Sequence, residues 1–459
     1  MLRSLVAASL LAAASPIIAQ VAPERIAGLR DSALQGDEYA WDIVEGLTTE
    51  IGPRPAGTES EARAREWAVR KLTAMGFANV RVEPFDMPVW VRGPESAAIV
   101  DPFPQPMAIV ALGNSASTGP AGITGEIVAF DNIDALRAAP DASVRGKIVF
   151  VDHRMTANQD GSGYGQFGAP RRQGPTVASK KGAIAIVIRS IGTDHHRSPH
   201  TGVMTFSDGA TPIPAGALSV PDAEQLARIL KRGKPVTMKL VLVSQNIGIR
   251  QSGNVIAEVP GRDPKLAPIL VSGHLDSWDQ GTGAIDDGAG VAIATAAAKR
   301  IMDAGRPLRT IRIVWFGAEE VGLFGGNAYR AAHGKEAHHA LIESDFGADR
   351  IWKVDSKLGE ARLGEAKAVG AALAPLGIVT GSFTKAEGSD IGPMLEDGLP
   401  GIGLSQDGTR YFDYHHTPDD TLDKIDPLQL RQNVAAWTTV LAVMSGGFEK
   451  TEPKRSTRR

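Results

Sequence analysis

One stretch of the chain decides the fold that we predict: Leu270-Val-Ser-Gly-His-Leu-Asp-Ser-Trp-Asp-Gln-Gly-Thr-Gly-Ala-Ile-Asp-Asp-Gly-Ala-Gly290. A short apolar strand, Ile269 to Val271, enters it and leads directly to His274 and Asp276. A Gly-rich loop follows, and a helix of small residues is predicted from about Val291 to Arg300. Strand, loop and helix in this order are typical of an α/β protein.

Two consecutive acids, Asp286 and Asp287, follow the Gly-rich loop and precede the helix. Carboxylates gathered in one cleft repel each other unless a cation neutralises them, and His with Asp suits zinc. Taken alone the motif is only suggestive. A His-x-Asp step on a loop is more often a hydrogen-bonded turn, and Asp-Asp-Gly is ordinary turn chemistry.

The composition is that of a globular protein with many loops. The chain has 459 residues, 43% of them hydrophobic, with 51 Gly and 29 Pro. Such a length is typical of two or three domains. A net charge of −3 gives no basic footprint, so we expect no nucleic-acid partner. Cys is absent, which excludes disulfides and a lipid anchor on cysteine.

The N-terminus predicts an exported protein. Arg3 supplies a positive charge, an apolar core runs from Leu5 to Ala14, and Ala-rich sequence precedes Gln20. We therefore predict a signal peptide at 1–20 and a periplasmic or extracellular mature protein. No other segment is apolar for about 18 residues, so no membrane insertion is expected.

The rest of the chain is predicted to form one catalytic domain interrupted by an insert. The predicted segments are an N-terminal catalytic segment (21–105), the insert (106–245), a C-terminal catalytic segment (246–450) and a solvated basic tail (451–459). The N-terminal catalytic segment contains two helices between Glu24 and Leu47. A third helix begins at the capping box Thr58-x-x-Glu61 and ends near Met75, and a strand follows at Val80 to Phe85.

The insert is predicted to be a small β-rich domain, because short apolar strands alternate with glycines. The predicted strands are 109–112, 125–130, 147–151, 184–188 and 237–243, with one helix at 222–230. Gly161-Ser-Gly-Tyr-Gly165 lacks the Lys of a phosphate loop and is interpreted as a flexible loop. His195, His196 and His200 are interpreted first as a polar surface loop, since no carboxylate accompanies them at ligand spacing.

Strands and helices alternate after residue 254, which predicts an α/β fold with a mixed, largely parallel sheet flanked by helices. Strands at 269–271, 310–316 and 401–404 alternate with helices at 291–302, 365–373 and 427–444, and 340–343 is interpreted as an apolar turn. Functional groups collect at the carboxyl ends of such strands. The groups at those positions are His274 with Asp286, Glu319-Glu320, Asp345 and His415-His416. Jointly they are the inventory for two zinc ions and a general base.

Six ordered motifs make the chain resemble a known family. They are Ser272-Gly-His-Leu-Asp-Ser-Trp-Asp279, Gly283-Ala-Ile-Asp-Asp-Gly288, Phe316-Gly-Ala-Glu-Glu-Val-Gly-Leu323, Glu343-Ser-Asp345, Gly388-Ser-Asp-Ile-x-Pro-Met394 and His415-His-Thr-x-x-Asp-Thr421. In these motifs the chain is similar to the co-catalytic two-zinc exopeptidases of the secreted aminopeptidase and glutamate carboxypeptidase type, most closely the carboxypeptidase Q subfamily. The resemblance implies their zinc exopeptidase fold, with the insert as a protease-associated domain.

The resemblance also implies a ligand set for two Zn²⁺ per chain. One zinc would be held by His274 and Asp345, the other by Glu320 and His416, and Asp286 would bridge them. It further implies a non-proline cis peptide bond between Asp286 and Asp287.

Other residues take supporting roles by the same resemblance. Glu319 would be the general base, and Asp276 would orient His274 through its other ring nitrogen. His415 lies where some relatives place a residue that stabilises the oxyanion. Ser389 and Asp390 would wall the substrate pocket, and His200 would overhang it if the insert reaches the cleft.

The expected activity is that of a secreted metallo-exopeptidase. It would hydrolyse dipeptides or short peptides with a free N-terminus through a metal-bridging hydroxide. Two alternatives stay open: a glutaminyl cyclase-type acyltransferase with a single zinc on the same fold, and a non-catalytic receptor-like homologue. A serine hydrolase is disfavoured because no Gly-x-Ser-x-Gly motif occurs. A homodimer is possible, and the apolar residues of Val434 to Met444 fit either an interface or the core.

Overall fold

The computed structural model describes residues 21–207 and 209–449. The predicted signal peptide and basic tail lie outside the described residues. The described helices are α1 Pro23–Gly36, α2 Tyr39–Gly46, α3 Glu59–Ala74, α4 Ile133–Ala138, α5 Asp141–Val144, α6 Gly163–Phe167, α7 Ala169–Arg172, α8 Gly174–Lys180, α9 Val220–Leu230, α10 Ala289–Ala304, α11 Phe324–His333, α12 Leu363–Leu373, α13 Gly392–Glu396, α14 Tyr411–Tyr414 and α15 Pro427–Met444. None of these helices has the length and apolarity needed to span a bilayer.

Fourteen of the described strands form one mixed sheet. The sixteen described strands are β1 Ala78–Asp101, β2 Gln105–Met107, β3 Ile109–Ala111, β4 Ile123–Phe130, β5 Ile148–Val151, β6 Ala185–Arg189, β7 Ala215–Leu218, β8 Thr237–Val259, β9 Ile269–His274, β10 Arg306–Pro307, β11 Ile311–Phe316, β12 Ala340–Glu343, β13 Ile351–Lys357, β14 Val379–Thr380, β15 Gly401–Gln406 and β16 Phe448–Glu449. Their order is β14-β13-β15-β12-β9-β11-β8-β4-β5-β6-β7-β3, with β1 paired to β2 and β8, while β10 and β16 pair separately.

The centre of the sheet is buried on both faces. In β9, Ile269 and Val271 belong to the large core with α10 and α15, whereas Leu270 belongs to a core with α11 and α13 on the opposite face. Successive side chains of a strand point to opposite faces, so a strand covered on both sides must be apolar throughout. The predicted α/β class with a mixed sheet flanked by helices is therefore confirmed.

Helix α15 shows whether the apolar residues from Val434 to Met444 belong to the core or to an exposed interface. Its bounds match the prediction, and every residue from 434 to 444 is buried except Val443. This segment packs in the core against α1, α10 and α12. The core interpretation is confirmed, and that surface is not available to form a dimer.

Two long strands, β1 and β8, are the main departure from the predicted elements. They pair antiparallel over nearly their whole length, from Ala78 opposite Glu258 to Asp101 opposite Thr237. The sequence predicts only short strands there because prolines and Gly93 interrupt the alternation. In the structure, the two strands accommodate these interruptions through shifts in their pairing register. Gly93 lies so close to the Val243 carbonyl that a side chain at this position would collide with it.

The segment between β1 and β8 is less purely β than predicted. The parallel strands β4, β5, β6 and β7 are accompanied by helices α4 to α9. The flexible-loop interpretation of 161–165 is wrong, since α6 begins at Gly163, and the turn interpretation of 340–343 is wrong, since β12 occupies it. Short helices and short, fully buried strands leave no periodic signal. The predicted boundaries at 105/106 and 245/246 fall inside β2 and β8, and the division into domains stays a prediction.

Candidate metal centre

The sheet register brings the predicted motifs to one edge. His274 ends β9 and pairs with Phe316, the last residue of the parallel strand β11, while Ser272 pairs with Glu343, the last residue of β12. The loops after these three strands therefore leave the sheet side by side at its carboxyl edge. His274 lies at this edge, and the loops carry Glu319, Glu320 and Asp345.

Asp286 lies between two imidazoles. Its Oδ1 is 3.0 Å from His274 Nε2, and its Oδ2 is 3.2 Å from His416 Nε2. The carboxylate thus presents one oxygen to each side of the cleft. This is the placement expected of a carboxylate that bridges two cations.

Each imidazole also faces a second carboxylate. Asp345 Oδ1 lies 3.4 Å from His274 Nε2, and Glu320 Oε2 lies 2.6 Å from His416 Nε2. The structure therefore brings all five predicted ligands together as two nitrogen and oxygen groups that share Asp286. Their roles as ligands stay predictions.

The chemistry of these donors fits zinc. Asp286 Oδ2 and Glu320 Oε1 are buried and have no hydrogen-bond donor of good geometry among the described residues. A buried, unpaired carboxylate oxygen is costly unless a donor or a cation satisfies it. Imidazole nitrogen with carboxylate oxygen is a ligand set typical of zinc.

The electrostatics of the cluster show how closely its charges interact. Burial alone would lower the pKa of His274, but the neighbouring Asp345 and two further carboxylates raise it well above its usual value. Burial raises the pKa of Glu320 to about 7, although His416 opposes this shift. Close acids and imidazoles therefore share protons when no cation is bound, and protons compete with metal for these ligands.

Glu319 lies at the wall of the cleft, beside the ligands. It follows Ala318, whose φ of 58° is uncommon for a residue with a side chain. Burial raises the pKa of Glu319 well above its usual value, and the charge of Asp345 adds to the effect. A carboxylate with a raised pKa is suited to accept and return a proton near neutral pH.

Asp276 contacts His274 differently from the prediction. His274 Nδ1 lies 2.9 Å from the backbone oxygen of Asp276, while the Asp276 carboxylate is 3.6 Å away. That carboxylate instead accepts hydrogen bonds from the backbone N–H groups of Glu319 and Glu320, at 3.1 and 3.3 Å. Asp276 therefore positions two motifs, one through its carbonyl and one through its side chain.

The loop that carries Asp286 is fixed by two residues that the sequence interpretation passes over. The fully buried Arg54 donates hydrogen bonds to the carbonyls of Leu275, Thr282 and Gly283. Asp420 Oδ1 accepts from the N–H groups of residues 284 and 285, at 2.8 and 2.7 Å. Arg54 lies in a turn rich in Pro and Gly, and Asp420 lies in the motif that runs from His415 to Thr421. The neighbouring sequence does not indicate which residues either side chain contacts.

The neighbouring acid, Asp287, supports the backbone of the site. Its Oδ2 accepts from the His274 N–H at 2.9 Å, and its Oδ1 accepts from the Gly290 N–H at 3.1 Å. The predicted cis peptide bond between Asp286 and Asp287 is present.

His200 of the insert packs against the cleft residues His415 and His416 but does not itself line the cleft. The surface-loop interpretation is wrong for this residue, which is fully buried, with Nδ1 2.7 Å from the His415 carbonyl. It holds for His195 and His196, whose side chains are 73% and 61% exposed. His200 lies beside His416, with ring centroids 5.3 Å apart, because the insert packs against the loop that carries His415 and His416.

His415 is enclosed within the cluster. Its Nε2 lies 2.9 Å from Asp286 Oδ2, and its ring stacks on His416 with centroids 3.7 Å apart. Burial, followed by the nearby His416, lowers the pKa of His415 to about 3. Its other ring nitrogen, Nδ1, lies 3.3 Å from His200 Nδ1, so both nitrogens face protein groups.

The two predicted pocket residues of the 388–394 motif have different positions. Ser389 lines the cleft and donates a hydrogen bond of 2.6 Å to Asp345 Oδ2. Asp390 is not a pocket residue, because it is fully buried and accepts from the Gly326 N–H at 3.0 Å. It anchors the first turn of α11 behind the cleft.

These residues enclose a cleft of about 300 Å³. It is lined by Tyr164, Arg171, Val203, Asp286, Glu319, Glu320, Gly322, Leu323, Asp345, Phe346, Ser389, Tyr411, Phe412, His415 and His416. Tyr164, Arg171 and Val203 come from the insert and are not among the predicted site residues. The cleft is therefore built jointly by the insert and the catalytic loops.

The sequence of this chain is similar to those of known peptidases. Residues 254–441 match peptidase family M28. Carboxypeptidase Q from Bos taurus is 36% identical over 406 residues, which cover 87% of this chain and 84% of that protein. Aminopeptidase YwaD from Bacillus subtilis is 24% identical, over 91% of this chain and 86% of that protein.

Two solved structures extend the similarity to the fold. A peptidase M28 precursor from Shewanella amazonensis superposes with a TM-score of 0.89 at 45% identity, over 94% of this chain and 98% of that chain. A zinc aminopeptidase from Bacillus subtilis superposes with a TM-score of 0.64 at 20% identity, over 88% of this chain and 94% of that chain. The second likeness is one of fold alone.

Proposed function

The chain belongs to peptidase family M28 and is a metallopeptidase, and from this premise we propose a two-zinc exopeptidase that hydrolyses dipeptides or short peptides with a free N-terminus. The position of Asp286 carries the proposal. Its two oxygens face His274 and His416, each of which faces a further carboxylate. Such a shared carboxylate supports two metal ions rather than one.

The residues of the cleft have different roles in the proposed hydrolysis. Zinc, when bound to these ligands, supplies Lewis-acid polarisation of the scissile carbonyl and activation of water. Glu319 takes a proton from the attacking water and delivers it to the leaving amine. Asp276 holds the backbone of Glu319 in place, and His415 lines the cleft beside Asp286.

The substrate class follows from the acids and the size of the cleft. The similarity to an aminopeptidase favours recognition of a free N-terminus, whose ammonium an acidic side chain near the metals would receive. A cleft of about 300 Å³ is at the small end of ligand sites, which favours short peptides. We also propose that the protein is exported, on the pattern of residues 1–20.

The test is hydrolysis by the purified protein of a panel of dipeptides, each free and N-acetylated. We expect cleavage of the free peptides, loss of cleavage after chelation, recovery with zinc, and about two zinc ions per chain. About one zinc per chain with cyclisation of an N-terminal glutamine would support the single-zinc alternative. Cleavage that survives complete metal removal would overturn the proposal.

A further inference from the structure

We propose that the insert positions one of the metal ligands: Thr201 holds the ring of His416, and Trp278 holds Thr201. The inference rests on the proposed function and deepens it, because it makes the insert part of the zinc site that Glu320 and His416 would form. Thr201 and Trp278 are positioning residues, since neither belongs to the proposed ligands. Both are buried.

The two candidate ligand imidazoles are oriented in the same way but from different places. His274 Nδ1 donates to the backbone carbonyl of Asp276 at 2.9 Å, two positions along the same loop. His416 Nδ1 donates to the backbone carbonyl of Thr201 at 3.0 Å, a contact between residues 215 positions apart. A carbonyl can only accept, so Nδ1 carries the proton in each ring, and Nε2, which faces the carboxylates, is left to bind a cation. His274 is therefore oriented by its own loop, and His416 by the insert.

The backbone of His416 needs support from its surroundings. Its φ of 56° is uncommon for a residue with a side chain, and such a conformation persists only where the surrounding structure fixes it. Two consecutive residues of the insert provide that support. His200 Nδ1 donates to the His415 carbonyl at 2.7 Å, and the Thr201 carbonyl accepts from the next imidazole, that of His416. The insert therefore fixes both the backbone before this ligand and the ring of the ligand itself.

Trp278 connects Thr201 to the loop that carries Asp286. Its indole N–H donates to Thr201 Oγ1 at 2.7 Å, and the same hydroxyl lies 3.4 Å from Gln280 Oε1. The indole ring also stacks on His416, with centroids 4.9 Å apart and an interplanar angle of 13°. Trp278 thus contacts both the ring of the proposed ligand and the residue that orients that ring.

The insert approaches His416 closely because a glycine follows Thr201. A Cβ on Gly202 would lie 3.1 Å from His416 Nδ1, which is tighter than ordinary van der Waals contact. The Thr201 carbonyl also accepts from Arg171 Nη1 at 3.0 Å, so it is held from the side of the insert as well. A carbonyl fixed by several contacts can orient a ligand, as the outer hydrogen bonds of metal sites do.

The test measures the affinity of each zinc site in variants that remove the hydrogen bond between Trp278 and Thr201. Thr201→Val removes the acceptor, and Trp278→Phe removes the donor while it keeps an aromatic ring beside His416. In each variant we expect the affinity of one zinc ion to fall by about tenfold to hundredfold, the usual effect of losing an outer partner of a ligand. The affinity of the other zinc ion should stay unchanged. Competition with a chelator measures both affinities.

Variants that disable one site at a time identify which zinc ion is affected. With Asp345→Asn, which disables the His274 site, Thr201→Val should lower the affinity of the remaining zinc ion by the same factor. With Glu320→Gln, which disables the His416 site, Thr201→Val should leave the affinity of the remaining zinc ion unchanged. A loss of affinity at the His274 site instead would overturn the inference.

Two further variants separate positioning from a general loss of stability. Thr201→Ser keeps the hydroxyl and should retain the zinc affinities of the unaltered protein. Thr118→Val is the matched control in the insert, because it also removes a hydroxyl that accepts a hydrogen bond, from the Leu242 N–H at 2.9 Å. It should lower thermal stability and leave both zinc affinities unchanged. A loss of zinc affinity in Thr118→Val equal to that in Thr201→Val would overturn the inference, because it would indicate a structural role.

The two proposals fail in distinguishable ways. A protein that binds no zinc and cleaves no peptide overturns both. If two zinc ions bind and peptides are cleaved, but Thr201→Val and Trp278→Phe keep both affinities, only the positioning role fails. Should one of these two variants not fold, the other decides, since both remove the same hydrogen bond.

Discussion

At the scale of single residues, adjacent acids of the same type have different environments. Asp286 faces the imidazoles of His274, His415 and His416, while Asp287 accepts backbone hydrogen bonds. Glu320 contacts His416, while Glu319 lines the open cleft. The chemical role of each acid therefore depends on the direction in which its side chain points, because adjacent residues of a loop can project to opposite sides.

Glu319→Gln separates proton transfer from metal binding. The amide keeps the shape of the side chain but cannot take up a proton, and the proposed ligands are other residues. We expect kcat to fall by about 10²–10⁴-fold with zinc content unchanged. Steady-state kinetics and metal analysis check this.

The control for that variant is Glu396→Gln, an exposed glutamate on α13. It should keep both rate and zinc. Near-normal turnover in Glu319→Gln would remove the assigned role, and loss of zinc would make Glu319 a ligand.

At the scale of elements, the site depends on how one loop is held. Residues 275–288 connect β9 to α10 and carry Asp286 between them. The turn at Arg54 clamps this loop through three carbonyls, and its own N–H donates to Ser277 Oγ at 3.1 Å. A loop fixed at several points can hold Asp286 where two cations would share it.

Arg54→Met should loosen that loop. It leaves three carbonyls without their donor, so we expect the free energy of unfolding to fall by about 3 kcal/mol and zinc affinity by at least about tenfold. Chemical denaturation and competition with a chelator measure the two effects. Arg70→Met, at an exposed position of α3, should change neither. Unchanged zinc affinity in Arg54→Met would show that the loop holds its shape without the clamp.

At the scale of the whole molecule, a site of many buried acids couples stability to pH. Burial, with the charge of Asp286, raises the pKa of Asp420 to about 7 in the metal-free protein. The pKa of the same carboxyl in the unfolded chain lies near 3.8. The folded state therefore holds this proton more tightly. The resulting stabilisation is complete below pH 3.8 and is lost as the pH rises through about 7.

Asp420→Asn removes that titration and keeps Oδ1 as acceptor for both N–H groups. In metal-free protein, the stability of the variant relative to the unaltered chain should rise by about 2 kcal/mol from about pH 5 to about pH 8. Denaturation curves at the two pH values measure this difference. Asp419→Asn, an exposed neighbour, should show no such change. A difference that does not depend on pH would contradict the raised pKa.

Much of the fold was determined by local sequence. The apolar strands around residue 270, the helix at 427–444 and the ordered motifs carry their own signals, because period and motif are properties of neighbouring residues. The sequence also contains the chemical inventory of the site. These signals are sufficient to indicate an α/β metallopeptidase without any knowledge of tertiary contacts.

Tertiary structure decided which groups meet. The contact of His200 with His415 joins residues 215 positions apart, and the hydrogen bonds of Arg54 reach Leu275 and Gly283, 221 and 229 positions away. The long ribbon of β1 and β8 carries the insert, which brings Arg171 to the cleft. The sequence around His200 does not indicate that this residue is buried, and the sequence around Arg54 does not indicate which carbonyls it contacts. These contacts arise only when distant segments pack and exclude water from the groups between them.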